Sequence, residues 1–132
     1  MKSSFIIASV LCFMLASCDP LRRVQMLNNT SGTVEFVWQL KEDSALHSPL
    51  FINNALQVHF KLLSHKPHHM ANLSVGQGPW THTDITEFAD DLESITIIKG
   101  IDTTFITSSA AIASLLYGKR KGLTKSRIVL KP

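Results

Sequence analysis

Cysteine is nearly absent from this chain of 132 residues, which contains only Cys12 and Cys18. Both lie within the first eighteen positions, so the rest of the chain excludes a disulfide, a thiol nucleophile and a cysteine metal site. A domain formed there must be stable through packing alone. The remaining length suffices for one hydrophobic core but not for two, so we expect a single domain.

Long apolar runs and catalytic motifs are also missing. The main apolar run, Phe5–Ala16, is broken by Ser9 and is shorter than the ~20 residues that a transmembrane helix needs. There is no Gly-x-Ser-x-Gly, Ser-x-x-Lys or glycine-rich phosphate loop. We expect the clustered acids Asp90, Asp91 and Glu93 to be a solvated surface rather than a general acid and base. The sequence therefore predicts a protein that is not an enzyme and takes no cofactor.

The apolar run is typical of a secretory signal. Lys2 precedes it, and Leu15-Ala16-Ser17-Cys18 follows the pattern at which bacterial lipoproteins are cleaved and lipidated. We expect residues 1–17 to be the signal peptide and Cys18 to carry the lipid, with 18–23 forming the lipidated cysteine and a short tether. An ordinary signal peptide cleaved elsewhere is the alternative. Asp19 leaves the choice of membrane open, with the outer membrane favoured and the inner membrane as the second option.

Charge is unevenly distributed along the chain, whose formal net charge is +3 at pH 7. Acids concentrate between Asp84 and Asp102 and none follows, whereas basic residues continue to Lys131. Two complementary surfaces of one domain would explain this pattern. The alternative is a face that binds anionic lipid headgroups or glycans, where each basic residue contributes about 1 kcal/mol. The candidate residues for such binding are Lys119, Arg120, Lys121, Lys125 and Arg127. No aromatic residues alternate with them, so nucleic acid is not an expected partner.

One histidine cluster contains ligands of the kind that zinc and copper prefer. It consists of His65, His68 and His69. Pro67 prevents the helical spacing that would place two imidazoles on one face, and no carboxylate or thiol is close in sequence. We expect a solvated turn, with a weak metal site as the alternative.

Residues 24–132 are expected to form one β-rich domain. Alternation of apolar and polar residues predicts strands at 24–28, 34–41 and 56–62, the first two joined as a hairpin by the turn at 29–32. Weaker patterns predict further strands at 50–52, 72–75, 94–99, 103–107 and 127–131.

Two short helices are expected between these strands. Asp84 and Glu87 match a capping box, and apolar residues at helical spacing follow over 85–92. The Ala- and Leu-rich segment 108–117, ended by Gly118, predicts the second helix. The expected fold class is thus mainly β (α+β), a small antiparallel β-sandwich with one or two short helices.

The two tryptophans have different expected roles. Trp38 lies on the inward side of the clearest strand and is expected in the core. Trp80 follows Gly78-Pro79 in a loop. It either covers one end of the sandwich or forms an exposed platform for a sugar or a protein partner.

Several short motifs occur in an order that resembles small lipoproteins of Gram-negative bacteria, most of them without an assigned function. The matching segments are Asn28-Asn29-Thr30, Phe36-Val37-Trp38, Gly78-Pro79-Trp80, Asp102-Thr103, Lys119-Arg120 and 128–132. The resemblance implies a lipid anchor and a β-rich domain, but no activity and no catalytic residue.

Together these observations give three hypotheses. The first is a lipid-anchored protein of the bacterial cell envelope that acts as a non-catalytic accessory or interaction module and meets another envelope protein through a sheet face or edge. The second is a module that binds anionic glycan or lipid through the basic C-terminal segment. The third is a weak metal-handling lipoprotein.

Overall fold

The structure is a computed structural model that describes residues 19–64 and 70–132. It contains eight strands: β1 (Leu21–Leu27), β2 (Val34–Leu40), β3 (Gln57–Leu62), β4 (Met70–Gln77), β5 (Leu92–Lys99), β6 (Asp102–Ile106), β7 (Arg120–Lys121) and β8 (Arg127–Leu130). The predicted signal peptide, Cys18 and the histidine turn lie outside the described residues.

The strands form two sheets of four. The first sheet has the order β4-β1-β8-β7 and the second has the order β3-β2-β5-β6. Neighbouring strands are antiparallel except β1 and β8, which are parallel, so the first sheet is mixed. The mainly β sandwich predicted from the sequence is confirmed.

Two helices complete the fold: α1 spans His82–Asp90 and α2 spans Ser109–Gly118. A short 3₁₀ helix at Ala45–His47 follows β2. The two helices pack against each other and against β5. Their apolar residues join the core between the sheets, as their helical spacing requires.

The core takes the inward residues of both sheets. Val24 and Ile128 come from the first sheet and Phe36 and Trp38 from the second, and all four are fully buried. Period-two alternation places the residues between them on the outward faces. Trp38 contacts Phe88 of α1, with ring centroids 6.0 Å apart.

The predicted β1–β2 hairpin is wrong, because the two strands belong to different sheets. The chain crosses from one sheet to the other at residues 28–33. The Asn28 side-chain amide donates to the carbonyl oxygens of Gly32 and Leu62, at 2.8 and 2.9 Å. Alternation identifies the inward face of a strand but not its neighbour, so both strands were recognisable while their pairing was not.

Helix α1 begins three residues before the predicted start. Its capping box uses Thr81 and Asp84 rather than Asp84 and Glu87. The Thr81 hydroxyl accepts from the Asp84 backbone N–H, and the Asp84 carboxylate accepts from the Thr81 backbone N–H at 2.9 Å. Both residue pairs have the spacing of the motif, and the earlier pair adds another turn to the helix.

Two short segments also differ from the prediction. Residues 50–52 form no strand, because local turns continue through Asn53 and Asn54, both with positive φ. By contrast, Arg120 and Lys121 form the short strand β7, which pairs with β8. A run of basic residues carries no alternation that would have indicated this strand.

Candidate functional site

Three basic residues lie side by side on the outward face of the first sheet. Arg23 of β1 is opposite Arg127 of β8, which is opposite Lys121 of β7. Their neighbours Val24 and Ile128 are fully buried, so the three side chains point away from the core. We call Arg23, Lys121 and Arg127 the basic face.

No acid forms an ion pair with the basic face among the residues that the structure describes, although Asp19 lies at the same end of the sheet. The described part of the chain contains two ion pairs, Arg22–Asp84 and His59–Glu35, and neither involves the basic face. The adjoining outward residues are neutral: Ser74 lies opposite Arg23, and Gln25 hydrogen-bonds Asn72 at 2.9 Å. Like charges directly opposite in a sheet are unfavourable, so the arrangement attracts anions at a small cost in stability.

Arg23 completes this surface but was not a candidate in the sequence. It lies almost a hundred positions from Lys121, and only the parallel pairing of β1 with β8 joins them. Its Nε is buried without a hydrogen-bond partner in the described part of the chain. A parallel pair between the two ends of a chain leaves no local signal that would have revealed it.

Arg120 is set apart from the other predicted anion-binding residues. It lies opposite Ile128 and therefore shares the inward side of the first sheet. Its guanidinium is 3.7 Å from the centre of the Tyr117 ring, and Nη1 donates to the Trp80 carbonyl oxygen at 3.0 Å. These contacts give Arg120 a structural role, so its charge is not directed at the basic face.

Lys119 and Lys125 are the remaining predicted residues. Both are exposed, Lys119 just before β7 and Lys125 in the turn between β7 and β8. Lys119 follows α2. Lys125 has a left-handed backbone (φ 51°), and its carbonyl oxygen accepts from the Trp80 N–H at 2.9 Å. Lys125 is thus held near the basic face, whereas Lys119 lies on the other side of Arg120 in the chain.

The start of the described chain is fixed to the same end of the first sheet. The Gly78 N–H donates to the Pro20 carbonyl oxygen at 2.8 Å, and the Arg23 N–H donates to the Ser126 carbonyl oxygen at 2.9 Å. Because β1 and β8 are parallel, the start of β1 and the start of β8 are neighbours. Residue 19 therefore leaves the sheet beside the turn that joins β7 to β8.

Arg22 contrasts with Arg23, although the two are adjacent. Its guanidinium forms an ion pair of 2.8 Å with Asp84 and lies 5.3 Å from the centre of the Trp80 ring. Burial raises the pKa of Asp84, but hydrogen bonds from Thr81 and the charge of Arg22 outweigh it and hold this pKa below its ordinary value. The cluster joins β1 to α1.

Trp80 is buried in this cluster, which excludes the exposed platform considered above. Only 1% of its surface is accessible, and Nε1 donates to the Arg23 carbonyl oxygen at 3.1 Å. Its ring meets Phe88 edge to face, with centroids 5.6 Å apart. Trp80 covers one end of the core.

The acids at the end of α1 lie at or near the surface. Asp90 and Glu93 are exposed, and Asp91 is half-buried. Burial raises the pKa of Asp91 above its ordinary value. The Asp91 carbonyl oxygen accepts from the Lys41 N–H at 2.9 Å, so its position follows from the connection between α1 and β5.

A groove of about 680 Å³ lies between the two helices. Small residues of α2, Ala110 and Ala113, line it together with Ile85 of α1. The rings of His82 and Tyr117 meet edge to face at one end, with centroids 5.5 Å apart. Most of the accessible lining is apolar, and the polar side chains of Thr86, Asp90, Ser109 and Ser114 lie around it.

Within residues 19–64 and 70–132, no group of three His, Cys, Asp or Glu residues is placed to hold a metal ion. The predicted candidates His65, His68 and His69, and the lipidation candidate Cys18, lie outside these residues. No helix in the described part is long and apolar enough to cross a membrane.

Comparison of the chain with protein-family models, with curated proteins and with solved structures finds no match.

Proposed function

We propose that this chain is a lipid-anchored protein of the bacterial cell envelope that serves as a non-catalytic interaction module. The anchor is the diacylglyceryl group on Cys18, for which the lipobox at residues 15–18 is the basis. The module is the β-sandwich that follows it. Its partner is another envelope protein, and the outer membrane is the favoured location.

The observation that carries the interaction role is the open edge of the second sheet. Strand β6 pairs with β5 on one side only. None of its five residues is buried, and Phe105 is 64% exposed. Phe105 lies on the outward face of the sheet. Thr96 of β5 is directly opposite it, and Val37 of β2 is opposite Thr96 on the other side.

An edge of this kind is suited to binding by strand addition. Unpaired backbone groups supply hydrogen bonds to an added strand, and a side chain such as Phe105 supplies a hydrophobic contact. Proteins that do not use an edge usually protect it with charges, proline or a bulge. Within β6, Asp102 is the one charged residue, at the first position.

The experiment is site-specific photo-crosslinking in intact cells with a benzophenone amino acid at position 105. We expect one recurrent protein adduct from Phe105. The matched control is the same amino acid at Leu46, which is 77% exposed but lies on the 3₁₀ helix away from β6. Equal capture at both positions, or none at position 105, would contradict the proposed edge.

Anchoring has its own test. Cys18→Ala should abolish incorporation of labelled fatty acid, whereas Cys12→Ala should leave it intact because Cys12 lies inside the apolar run of the signal. Continued labelling of the Cys18→Ala chain would refute the lipid anchor without affecting the interaction role of β6.

A second candidate function is binding of anionic lipid or glycan. The alignment of Arg23, Lys121 and Arg127 across three strands, none of them in an ion pair with a described acid, favours it. The two functions use opposite sheets and are compatible in one molecule.

A further inference from the structure

The turn between β7 and β8 exposes an aliphatic side chain among basic residues. Leu123 is fully accessible, with a relative exposure of 105%. Lys121 precedes it and Lys125 follows it, and both are exposed. The turn is shaped by Gly122, with φ 86°, and by Lys125, with φ 51°. An isolated exposed leucine needs no explanation, but one at the tip of a cationic hairpin has the composition of a membrane-contact element.

A second hairpin in the same molecule provides a comparison. Ile101, at the turn between β5 and β6, is just as exposed (101%) and also follows a glycine of positive φ, Gly100. Its flanking charges are Lys99 and Asp102, which have opposite signs. The two tips therefore share an exposed aliphatic side chain that follows a glycine of positive φ, and they differ in charge.

The β7–β8 turn lies where the chain enters the domain. The Lys125 and Ser126 carbonyl oxygens accept from the Trp80 and Arg23 N–H groups, and Pro20 is hydrogen-bonded to Gly78 at this end of the sheet. Cys18 precedes Pro20 by two residues, which span at most about 7 Å when extended. A lipid on Cys18 would therefore hold this end of the first sheet against the bilayer surface.

We infer that the β7–β8 turn contacts the anionic surface of the membrane to which the chain is anchored. Leu123 enters the headgroup region, and Lys121, Lys125 and the basic face lie at the level of the lipid phosphates. Charge complementarity selects an anionic bilayer over a neutral one. This inference rests on the proposed lipid anchor, and it deepens the second candidate function by naming lipid as the anion source.

The test places an environment-sensitive fluorophore on a single introduced cysteine in the lipidated full chain. Leu123→Cys reports on the proposed contact, and Ile101→Cys is the matched control. Both chains are reconstituted in vesicles of phosphatidylcholine with or without phosphatidylglycerol, and a nitroxide on the lipid acyl chains quenches any probe that enters the bilayer. We expect quenching at position 123 in the anionic vesicles, loss of this quenching in molar salt because charge attraction is then screened, and no quenching at position 101.

The outcomes separate the contact from the anchor. If the chain does not float with the vesicles, the lipid anchor fails. If it floats but the probe at position 123 is quenched no more than the probe at position 101, the membrane contact is refuted and the anchor stands. The contact would also be refuted if soluble heparin changed the emission of the probe at position 123 while the nitroxide lipid did not quench it. That result would favour a glycan.

Discussion

The two sheets share one core but expose different outward faces. The first sheet aligns Arg23, Lys121 and Arg127, and none of the three forms an ion pair with a described acid. On the second sheet an acid and a base are neighbours: Glu35 lies directly opposite Lys61, and Glu35 Oε1 is also 2.7 Å from His59 Nδ1. Core packing does not depend on the charges of the outward faces, so the difference supports our proposal that the two faces bind different partners. The uncompensated face is suited to an anionic surface, and the balanced face with its open edge is suited to a protein.

Removing the charges of the basic face should have the largest effect on anion binding. Replacing Arg23, Lys121 and Arg127 together with Gln should weaken binding of the solubilised chain to heparin about 100-fold, since each charge contributes about 1 kcal/mol. Titration at low salt would measure it. A matched triple replacement off this face, Lys61, Lys99 and Lys131→Gln, changes the net charge equally and should weaken binding far less. Equal losses would mean that only net charge matters.

Arg22 and Arg23 are adjacent but lie on opposite faces of β1, so their replacement should have different effects. Arg22→Gln should lower the free energy of unfolding by about 1–2 kcal/mol, since it leaves the partly buried Asp84 without its ion pair. Arg23→Gln should reduce heparin binding with little change in stability. Denaturant unfolding and heparin titration of both variants measure the two effects. The reverse pattern would contradict the assignment of the two side chains to their faces.

Acid unfolding should show the Arg22–Asp84 contact as well. The pKa of Asp84 is depressed in the folded state, so its contribution is present above the unfolded-state pKa and is lost as the pH falls through the folded value. In Asp84→Asn, the free energy of unfolding should therefore fall less steeply over this range of pH. Asp91 has a raised pKa, so Asp91→Asn should increase stability at neutral pH and have no effect in strong acid. Unfolding measured from neutral to acid pH checks both signs.

The smallest effect separates binding from stability on the basic face. Lys121 lies directly opposite Arg127, and like charges in this arrangement are unfavourable. Lys121→Glu should raise the free energy of unfolding by about 0.2–1 kcal/mol at low salt while weakening heparin binding. Lys61→Glu, opposite Glu35 on the second sheet, should instead lower stability. A stability gain at both positions would refute the comparison between the faces.

Local patterns in the sequence identified most of the strands and both helices, and long-range pairing explains what they missed. The alternation in 34–41 and 56–62 predicted β2 and β3, because in each strand every second residue is more buried than most of those between. The parallel partnership of β1 with β8 was not predictable, since a side-chain pattern does not encode the neighbour of a strand. The same pairing brings Arg23 to the basic face, and the pairing of β7 with β8 places Arg120 on the inward side. The sequence therefore indicated a basic segment, but only the fold separates Arg120, which makes structural contacts, from the residues of the proposed binding surface.

Mass spectrometry of the N-terminal peptide of the protein extracted from membranes tests the lipid anchor itself. We expect a peptide that begins at Cys18 and carries the mass of a diacylglyceryl thioether and an acylated amine. Recovery of an unmodified Cys18, or of a mature chain that begins at another residue, would contradict the proposed anchor.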